Sequence, residues 1–221
     1  MTAMERSPDA RSVRSPRTSV ILIAGVTAWN VAQNRLLPRW SYVPVNVCGI
    51  GLIAYTARHA GISREQLGID SRRPGRGALT GAMVAGVAAG VVWIGVRLRP
   101  GLFADTRVIG TRPAYEVLLR IPVGTASFEE VLFRGLLQAA WGSAGSSTAF
   151  GAWHVLPTLQ TAAVNGLPRA PSAAAAVVVT VAAGRALASL RARYGLVAAV
   201  VAHAGINIAG YLAARAASSN R

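Results

Sequence analysis

Long apolar runs alternate with short polar segments along most of the chain. A helix needs about 20 apolar residues to cross the hydrocarbon core of a bilayer. Seven runs approach or exceed that length, at residues 18–37, 42–57, 78–98, 113–140, 148–164, 173–190 and 195–214. The pattern therefore predicts an all-α fold, a polytopic transmembrane helix bundle of about seven spans (seven to eight).

The polar ends of the chain set the expected domain boundaries. Residues 1–17 are basic and contain proline, which predicts a disordered N-terminal tail. Residues 18–215 are expected to form a single membrane-embedded helical domain, and residues 216–221 a short tail. Within the fourth span, Pro122 beside Gly124 predicts a kink.

The composition indicates a membrane protein and argues against a nucleic-acid-binding protein. Apolar residues make up 52% of the chain and charged residues only 14%, so membrane lipid is an expected partner. The net charge of +15 comes from arginine, because the chain has no lysine. On a soluble protein this charge would favour nucleic-acid binding. Here the arginines flank the apolar runs, so we expect no nucleic-acid partner, and their distribution places the N-terminus in the cytoplasm.

Two adjacent acids interrupt the fourth span. Glu129 and Glu130 lie in an otherwise apolar stretch that also contains Arg134. Ionisable residues inside a membrane segment are costly and mark candidate functional sites. Glu130 and Arg134 are spaced to pair across one helical turn, whereas Glu129 is rotated by about 100° and cannot share that arginine equally. Glu129 is therefore a candidate general base for activating water.

Two later spans carry further polar groups at the spacing of one helical turn. Phe150 and His154 form one such pair in the fifth span, and His203 and Asn207 form another in the seventh. Together with Glu129, these side chains could activate a water and stabilise an oxyanion. Structural interpretations stay open for each group: the Glu130–Arg134 pair as a brace, either histidine as a core residue, and Asn207 as an interhelical contact.

A metal site is a further alternative. Glu129, His154 and His203 come from separate spans and could form a three-ligand zinc site with an open position. The His-Glu-x-x-His helix motif of zinc proteases is absent from the sequence. The spacing alone leaves a divalent metal such as zinc undecided.

Three sequence blocks occur in a fixed order on these apolar runs. They are Glu129-Glu130-Val-Leu-Phe-Arg134, Phe150-Gly-Ala-Trp-His154 and His203-Ala-Gly-Ile-Asn207. In this order they resemble the CAAX-protease and bacteriocin-processing (CPBP/Abi) family of intramembrane proteases, which includes the type II CAAX prenyl endopeptidases. The resemblance covers about residues 64–210 and extends to Leu67-Gly68-Ile69, Gly135 and Tyr194-Gly195-Leu196.

The resemblance implies an endopeptidase that hydrolyses a peptide bond near the membrane surface, with a peptide or protein substrate. By analogy, Glu129 with His154 would activate the water, His203 and Asn207 would stabilise the oxyanion, and Glu130 with Arg134 would brace the helix. It leaves glutamate-type and metalloprotease chemistry open. It also implies an integral protein of the bacterial cytoplasmic membrane.

Two other functions compete with the protease. One is a non-enzymatic membrane immunity or partner-binding protein of the same fold. The other is a proton-coupled transporter in which the acid and histidine residues relay protons. Such transporters usually contain repeated halves, and no repeat is visible in the sequence. The sequence indicates no particular oligomeric state.

Overall fold

The computed structural model describes residues 15–69, 74–98 and 112–219, and all regular elements in these ranges are helical. Positions 1–14 of the predicted N-terminal tail lie outside the described residues, as do positions 220 and 221. The first helix begins at Pro16, with the Ser15 side chain accepting a hydrogen bond from the Thr18 backbone N–H at 3.2 Å. A proline at the first helical position needs no hydrogen-bond partner, which explains why the helix begins there.

Eight helices, numbered here in chain order, build the described part of the protein. Their bounds are α1 Pro16–Val31, α2 Tyr42–His59, α3 Pro74–Leu98, α4 residues 113–137, α5 Gln138–Trp153, α6 Val155–Asn165, α7 Arg169–Tyr194 and α8 Leu196–Ser219. A π-helical turn extends α1 over Ala32–Leu36. Since α8 continues to Ser219, most of the predicted C-terminal tail is helical.

Three of these helices are long and apolar enough to cross a membrane, namely α3, α7 and α8. Their outer surfaces expose large apolar side chains such as Val87 on α3 and Val178 on α7. Exposed apolar surface of this extent is expected where helices face lipid rather than water. The helical fold and membrane character are thus supported, while the count of about seven spans stays a prediction.

Helix α4 departs from regular α-helical geometry over most of its length. Two π-helical segments, Glu116–Ser127 and Val131–Leu137, flank a short α-helical segment, Phe128–Glu130. Pro122 lacks an N–H group, and the wider π-helical turns accommodate it without ending the helix. The predicted kink at Pro122 is therefore a change of helix type, and it places both acids between the two π-helical segments.

A break at Gly142 separates the predicted fourth and fifth spans, and the fifth is divided again at His154. Helix α5 follows α4 directly and contains a sharp bend at Gly142, whose φ of 71° and ψ of 178° are non-helical. It ends at Trp153, and α6 begins after a turn at His154. Pro157 explains this break, because its ring replaces the N–H that would otherwise bond to the carbonyl of Trp153.

Small residues bring α3 and α8 into close contact. A Cβ atom added at Gly81 would lie 2.5 Å from the carbonyl oxygen of Ala198 on α8, and one added at Gly77 would lie 2.6 Å from that of Tyr194, the last residue of α7. On the opposite helix, a Cβ atom at Gly205 would lie 2.4 Å from the Cβ of Ala85. This small-residue packing is typical of helices associating in lipid. It holds α8, which carries His203, close against α3.

The loop after α2 also packs against the start of α8. The Gly68 carbonyl accepts a hydrogen bond from the Leu196 N–H at 2.8 Å, and Arg191 bonds to the carbonyl of Gln66. Gly68 has a φ of +75°, and a Cβ there would lie 2.5 Å from Nε of Arg191. Leu67 is buried in the apolar core with Phe133 and Leu137. The Leu67-Gly68-Ile69 segment is thus a docking turn between helices.

Replacing Gly81 by alanine is expected to destabilise the fold, because the added methyl group meets the α8 backbone. We expect Gly81→Ala to lower the free energy of unfolding by about 1–3 kcal/mol, the usual cost of overpacking. Thermal unfolding in detergent micelles would measure the loss. Gly86→Ala is the matched control on the same helix, since no atom lies within 4 Å of its added Cβ. Equal stability of the two variants would contradict the close approach of α3 and α8.

Candidate active site

Glu130 joins three helical segments at the centre of the site. Its side chain is fully buried. One oxygen, Oε1, lies 2.8 Å from Nδ1 of His203, and the other, Oε2, lies 3.2 Å from Nε of Arg134. The ion pair with Arg134 predicted from the one-turn spacing is confirmed. The contact with His203 fastens α8 to α4 through a charged hydrogen bond.

Arg134 is also fully buried, and its charge is compensated in two ways. Its guanidinium carbon lies 4.1 Å from the centre of the Phe150 ring, within the range of a cation–π interaction. The 3.2 Å contact with Glu130 lacks hydrogen-bond geometry, and no guanidinium nitrogen has a hydrogen-bond partner among the described residues. Arg134 therefore acts here through charge and ring stacking. Phe150 contacts the guanidinium directly.

Glu129 presents its two carboxylate oxygens to different partners. The residue is only 4% exposed. Oε1 accepts a hydrogen bond from the indole N–H of Trp153 at 3.1 Å. Oε2 has no hydrogen-bond partner within the described ranges and lies 3.7 Å from Nε2 of His203. One buried oxygen of this carboxylate is thus left available beside an imidazole.

The ring of His203 bridges the two acids. A carboxylate can only accept a hydrogen bond, so Nδ1 carries the proton in the contact with Glu130. The opposite nitrogen, Nε2, is then directed towards Glu129. A single water oxygen could lie within hydrogen-bond distance of both Nε2 and the free Glu129 oxygen, because these atoms are 3.7 Å apart.

His154 reaches this cluster through an aromatic ring. Its Nδ1 lies 2.8 Å from the carbonyl oxygen of Phe150, and its ring is 4.5 Å from the Phe150 ring, centre to centre. The Phe150 ring also lies 5.8 Å from the His203 ring, centre to centre, and perpendicular to it. No hydrogen bond or ion pair joins His154 to Glu129 in the part of the chain that the structure covers. Phe150 therefore separates the two histidines.

Asn207 follows His203 by one turn of α8 and is half-buried. Its side chain makes no hydrogen bond with another residue in the described segments. A cavity of about 220 Å³ lies between α6 and α7 and is bordered by His154, Thr158, Thr161 and Ser172. The sequence-predicted residues thus form a core of Glu129, Glu130, Arg134, Phe150 and His203, with His154 and Asn207 beside it.

One protein-family model matches the part of the chain that contains this cluster. Residues 112–209 match the model of the family described as type II CAAX prenyl endopeptidase Rce1-like. The match confirms the resemblance to the CAAX-protease family. It includes α4 to most of α8, and so contains every predicted site residue. No curated protein and no solved structure matches the chain.

The match over residues 112–209 supports a function as an intramembrane protease, a hydrolase held in the membrane. The match begins at residue 112, so the Leu67-Gly68-Ile69 turn and helices α1 to α3 lie outside it. Those helices nevertheless contact the matched region directly, through α3 on α8 and α2 on α4.

A catalytic zinc ion would require three ligands to converge on one point. Within residues 15–69, 74–98 and 112–219, no three His, Cys, Asp or Glu side chains are placed to hold a metal ion. His154 is turned towards Phe150, and His203 is fastened to Glu130. The candidate set of Glu129, His154 and His203 therefore does not fit a zinc site in this arrangement.

Three polar residues near the site were missed by the sequence reasoning. They are Trp153, which bonds to Glu129; Asn30, which bonds to the Trp153 carbonyl at 2.9 Å; and Asn46, which bonds to the Gly124 carbonyl at 2.7 Å. Each lies in an apolar segment where a buried donor must find a partner. The sequence therefore indicates that these three side chains have hydrogen-bond partners, but it does not identify those partners.

Removing one partner of the buried pair should destabilise the protein strongly. Arg134→Met leaves Glu130 without its cation, and breaking a buried ion pair costs about 3–5 kcal/mol. The double variant Glu130→Gln/Arg134→Met removes both charges and should recover part of that loss. Denaturant or thermal unfolding in micelles would measure both values.

The matched control is the second one-turn pair on α4. Arg120 pairs with Glu116 at 2.8 Å, but its side chain is 38% exposed. Glu116 is buried but Arg120 is partly open to its surroundings, so Arg120→Met should cost less than Arg134→Met, whose partners are both fully buried. A loss for Arg134→Met no larger than that for Arg120→Met would show that the buried pair is not a structural brace.

Proposed function

We propose that the protein is an intramembrane endopeptidase in which Glu129 activates the water that attacks a peptide carbonyl. One observation carries the proposal: a buried carboxylate oxygen of Glu129 has no hydrogen-bond partner among the described residues and lies 3.7 Å from an imidazole nitrogen. Buried acceptors are normally satisfied. An unsatisfied one beside a potential donor is suited to receive a proton.

In this mechanism the free oxygen of Glu129 takes a proton from water as the water oxygen bonds to the scissile carbonyl carbon. The negative charge that develops on the carbonyl oxygen is stabilised by the N–H at Nε2 of His203. Asn207, one turn further along α8, offers its amide to the same oxyanion. As the C–N bond breaks, the proton held by Glu129 passes to the leaving amine.

The charges around the site support Glu129 as the base and His203 as the group that stabilises the oxyanion. With Glu129 and Glu130 ionised, Arg134 offsets one negative charge, and an imidazolium at His203 offsets the other. That imidazolium also provides the N–H needed at Nε2, because Nδ1 is engaged by Glu130. Compensation within the cluster matters because uncompensated charges are costly in a low-dielectric interior.

We assign His154 to substrate and water positioning. It borders the cavity between α6 and α7. In this proposal the peptide enters through that cavity. Catalytic contacts are often loose without substrate and tighten when it binds. We expect His154 to approach the water with Glu129 in that state. Cleavage would then occur near the membrane surface, on a peptide or protein substrate, in the cytoplasmic membrane of a bacterium.

Glu129→Gln should abolish proteolysis, since the amide cannot take a proton from water. Loss of a general base typically lowers the rate about 10²- to 10⁴-fold. The assay would use protein in lipid vesicles with two probes: an internally quenched peptide bearing a farnesylated CAAX end, and a set of membrane-anchored quenched peptides without a prenyl group. The family match supports the first probe.

Glu65→Gln is the control, because Glu65 is an exposed acid in the loop after α2. This variant should cleave at the rate of the unmodified protein. Cleavage by Glu129→Gln at more than a tenth of that rate would overturn the assignment of the base. Failure of the unmodified protein to cleave either probe would count against the endopeptidase itself.

Chelation should leave the activity unchanged, because Glu129, His154 and His203 do not converge as metal ligands. We expect the cleavage rate to stay within about twofold after treatment with EDTA or 1,10-phenanthroline, and elemental analysis of purified protein to show no stoichiometric zinc. A loss of activity that zinc restores would establish a metalloprotease and refute the metal-independent mechanism.

A further inference from the structure

We propose that Trp153 is a positioning residue for Glu129, and that Asn30 on α1 holds Trp153 in place. The inference rests on the proposed role of Glu129 as the general base. It adds two residues, one of them outside the family match at 112–209, to the machinery of the site.

Trp153 determines which oxygen of Glu129 is free. Its indole N–H donates to Oε1 at 3.1 Å, which makes that oxygen the less basic of the two while the bond holds. Oε2 is consequently the oxygen directed towards His203. Without this bond, rotation of the carboxylate would exchange the two oxygens and loosen the alignment. Small errors in the placement of a reacting group can cost a large factor in rate.

The indole itself has little freedom to move. Trp153 is buried, and its ring packs against Phe128 and Phe133 at centre-to-centre distances of 6.1 and 5.6 Å. Phe133 is fully buried in turn. A ring held on two sides by aromatic neighbours presents its N–H in a constant direction, as pre-organised sites require.

Asn30 anchors the backbone of Trp153. Its side-chain N–H donates to the Trp153 carbonyl at 2.9 Å, at the position where Pro157 leaves that carbonyl without a helical donor. The Asn30 oxygen accepts from the amide of Asn34 at 2.6 Å, which fixes the orientation of the Asn30 side chain. The carbonyl of Asn34 accepts from Gln160 on α6 at 2.6 Å.

These bonds hold the turn that carries His154. The Asn30 contact lies immediately before His154, and the Gln160 contact lies six residues after it. The first helix of the chain is therefore connected to both sides of the turn. The connection gives α1 a direct structural link to the proposed base and to the histidine that borders the cavity.

The first test is Trp153→Phe, which keeps an aromatic ring and removes the N–H. We expect kcat on the cleaved probe peptide to fall about 10- to 100-fold while KM changes less than about twofold, because the indole acts in this proposal through Glu129 and not on the substrate. Trp141→Phe is the matched control on the same helix. Its indole donates to Ser19 at 3.2 Å and does not contact either acid, so kcat should be unchanged.

A second measurement does not depend on activity or on the Trp153 variant folding. The indole N–H resonance of Trp153, assigned from its nuclear Overhauser contacts with the Phe133 ring, should move in the ¹H–¹⁵N spectrum of Glu129→Ala, because the carboxylate acceptor is gone. The Trp141 resonance should stay in place in that spectrum. An unchanged Trp153 resonance would show that the indole does not bond to Glu129, and would overturn the proposal.

The role of Asn30 is tested by combining variants. Asn30→Leu should lower kcat about three- to tenfold in the unmodified protein, but by less than about twofold when Trp153 is already phenylalanine, since both act through one hydrogen bond. If Asn30→Leu lowers kcat by the same factor with and without Trp153→Phe, Asn30 does not act through Trp153, and its part of the proposal is refuted.

Two different results would refute the proposed function and the positioning role of Trp153. Activity that survives Glu129→Gln would refute the proposed function as well as the positioning role. If Glu129→Gln is inactive but Trp153→Phe keeps the unmodified kcat, only the positioning role is refuted.

Discussion

Two adjacent carboxylates buried among apolar helices must be compensated, and the rest of the site is arranged around that requirement. Glu130 is satisfied by Arg134 on its own helix and by His203 on α8. Because such groups cannot be left unpaired at low cost, the contact with His203 determines the register of α8 against α4. The same contact directs the second nitrogen of His203 towards Glu129. The structural ion pair and the proposed catalytic arrangement therefore share one imidazole.

Close helix packing makes that arrangement possible. Glycines on α3 let its backbone approach α8 at Ala198, five residues before His203. In lipid there is little hydrophobic driving force between helices, so such contacts depend on surface fit and on polar bonds. Both are present on α8: small residues on the side towards α3, and His203 on the side towards the acids.

Two prolines create the irregular backbone in which the site residues lie. Pro122 is accommodated by π-helical turns in α4, and Pro157 ends the helical bonding at Trp153. Backbone groups released in this way need new partners inside a membrane protein. Asn30 on α1 bonds to the Trp153 carbonyl that Pro157 releases, and Asn46 on α2 bonds to the Gly124 carbonyl in the π-helical part of α4. Both helices lie outside the family match. The first two helices are thus coupled to the site by hydrogen bonds as well as by packing.

The sequence by itself determined the helical membrane character and most of the site. Apolar runs of spanning length predicted the helices, and acids and histidines inside them identified Glu129, Glu130, Arg134 and His203, because charged groups in such positions need a reason to be there. One-turn spacing predicted the Glu130–Arg134 pair. These inferences depend on local periodicity, which a sequence displays directly.

Only the tertiary structure decided which groups meet. It paired His203 with Glu130, placed Phe150 between the two histidines, and gave Glu129 its bond to Trp153. These contacts join residues far apart in the chain, and their geometry follows from how helices cross and rotate. A single sequence contains no signal for that rotation, so the partners of Trp153 and Asn30 could be expected to exist but not identified.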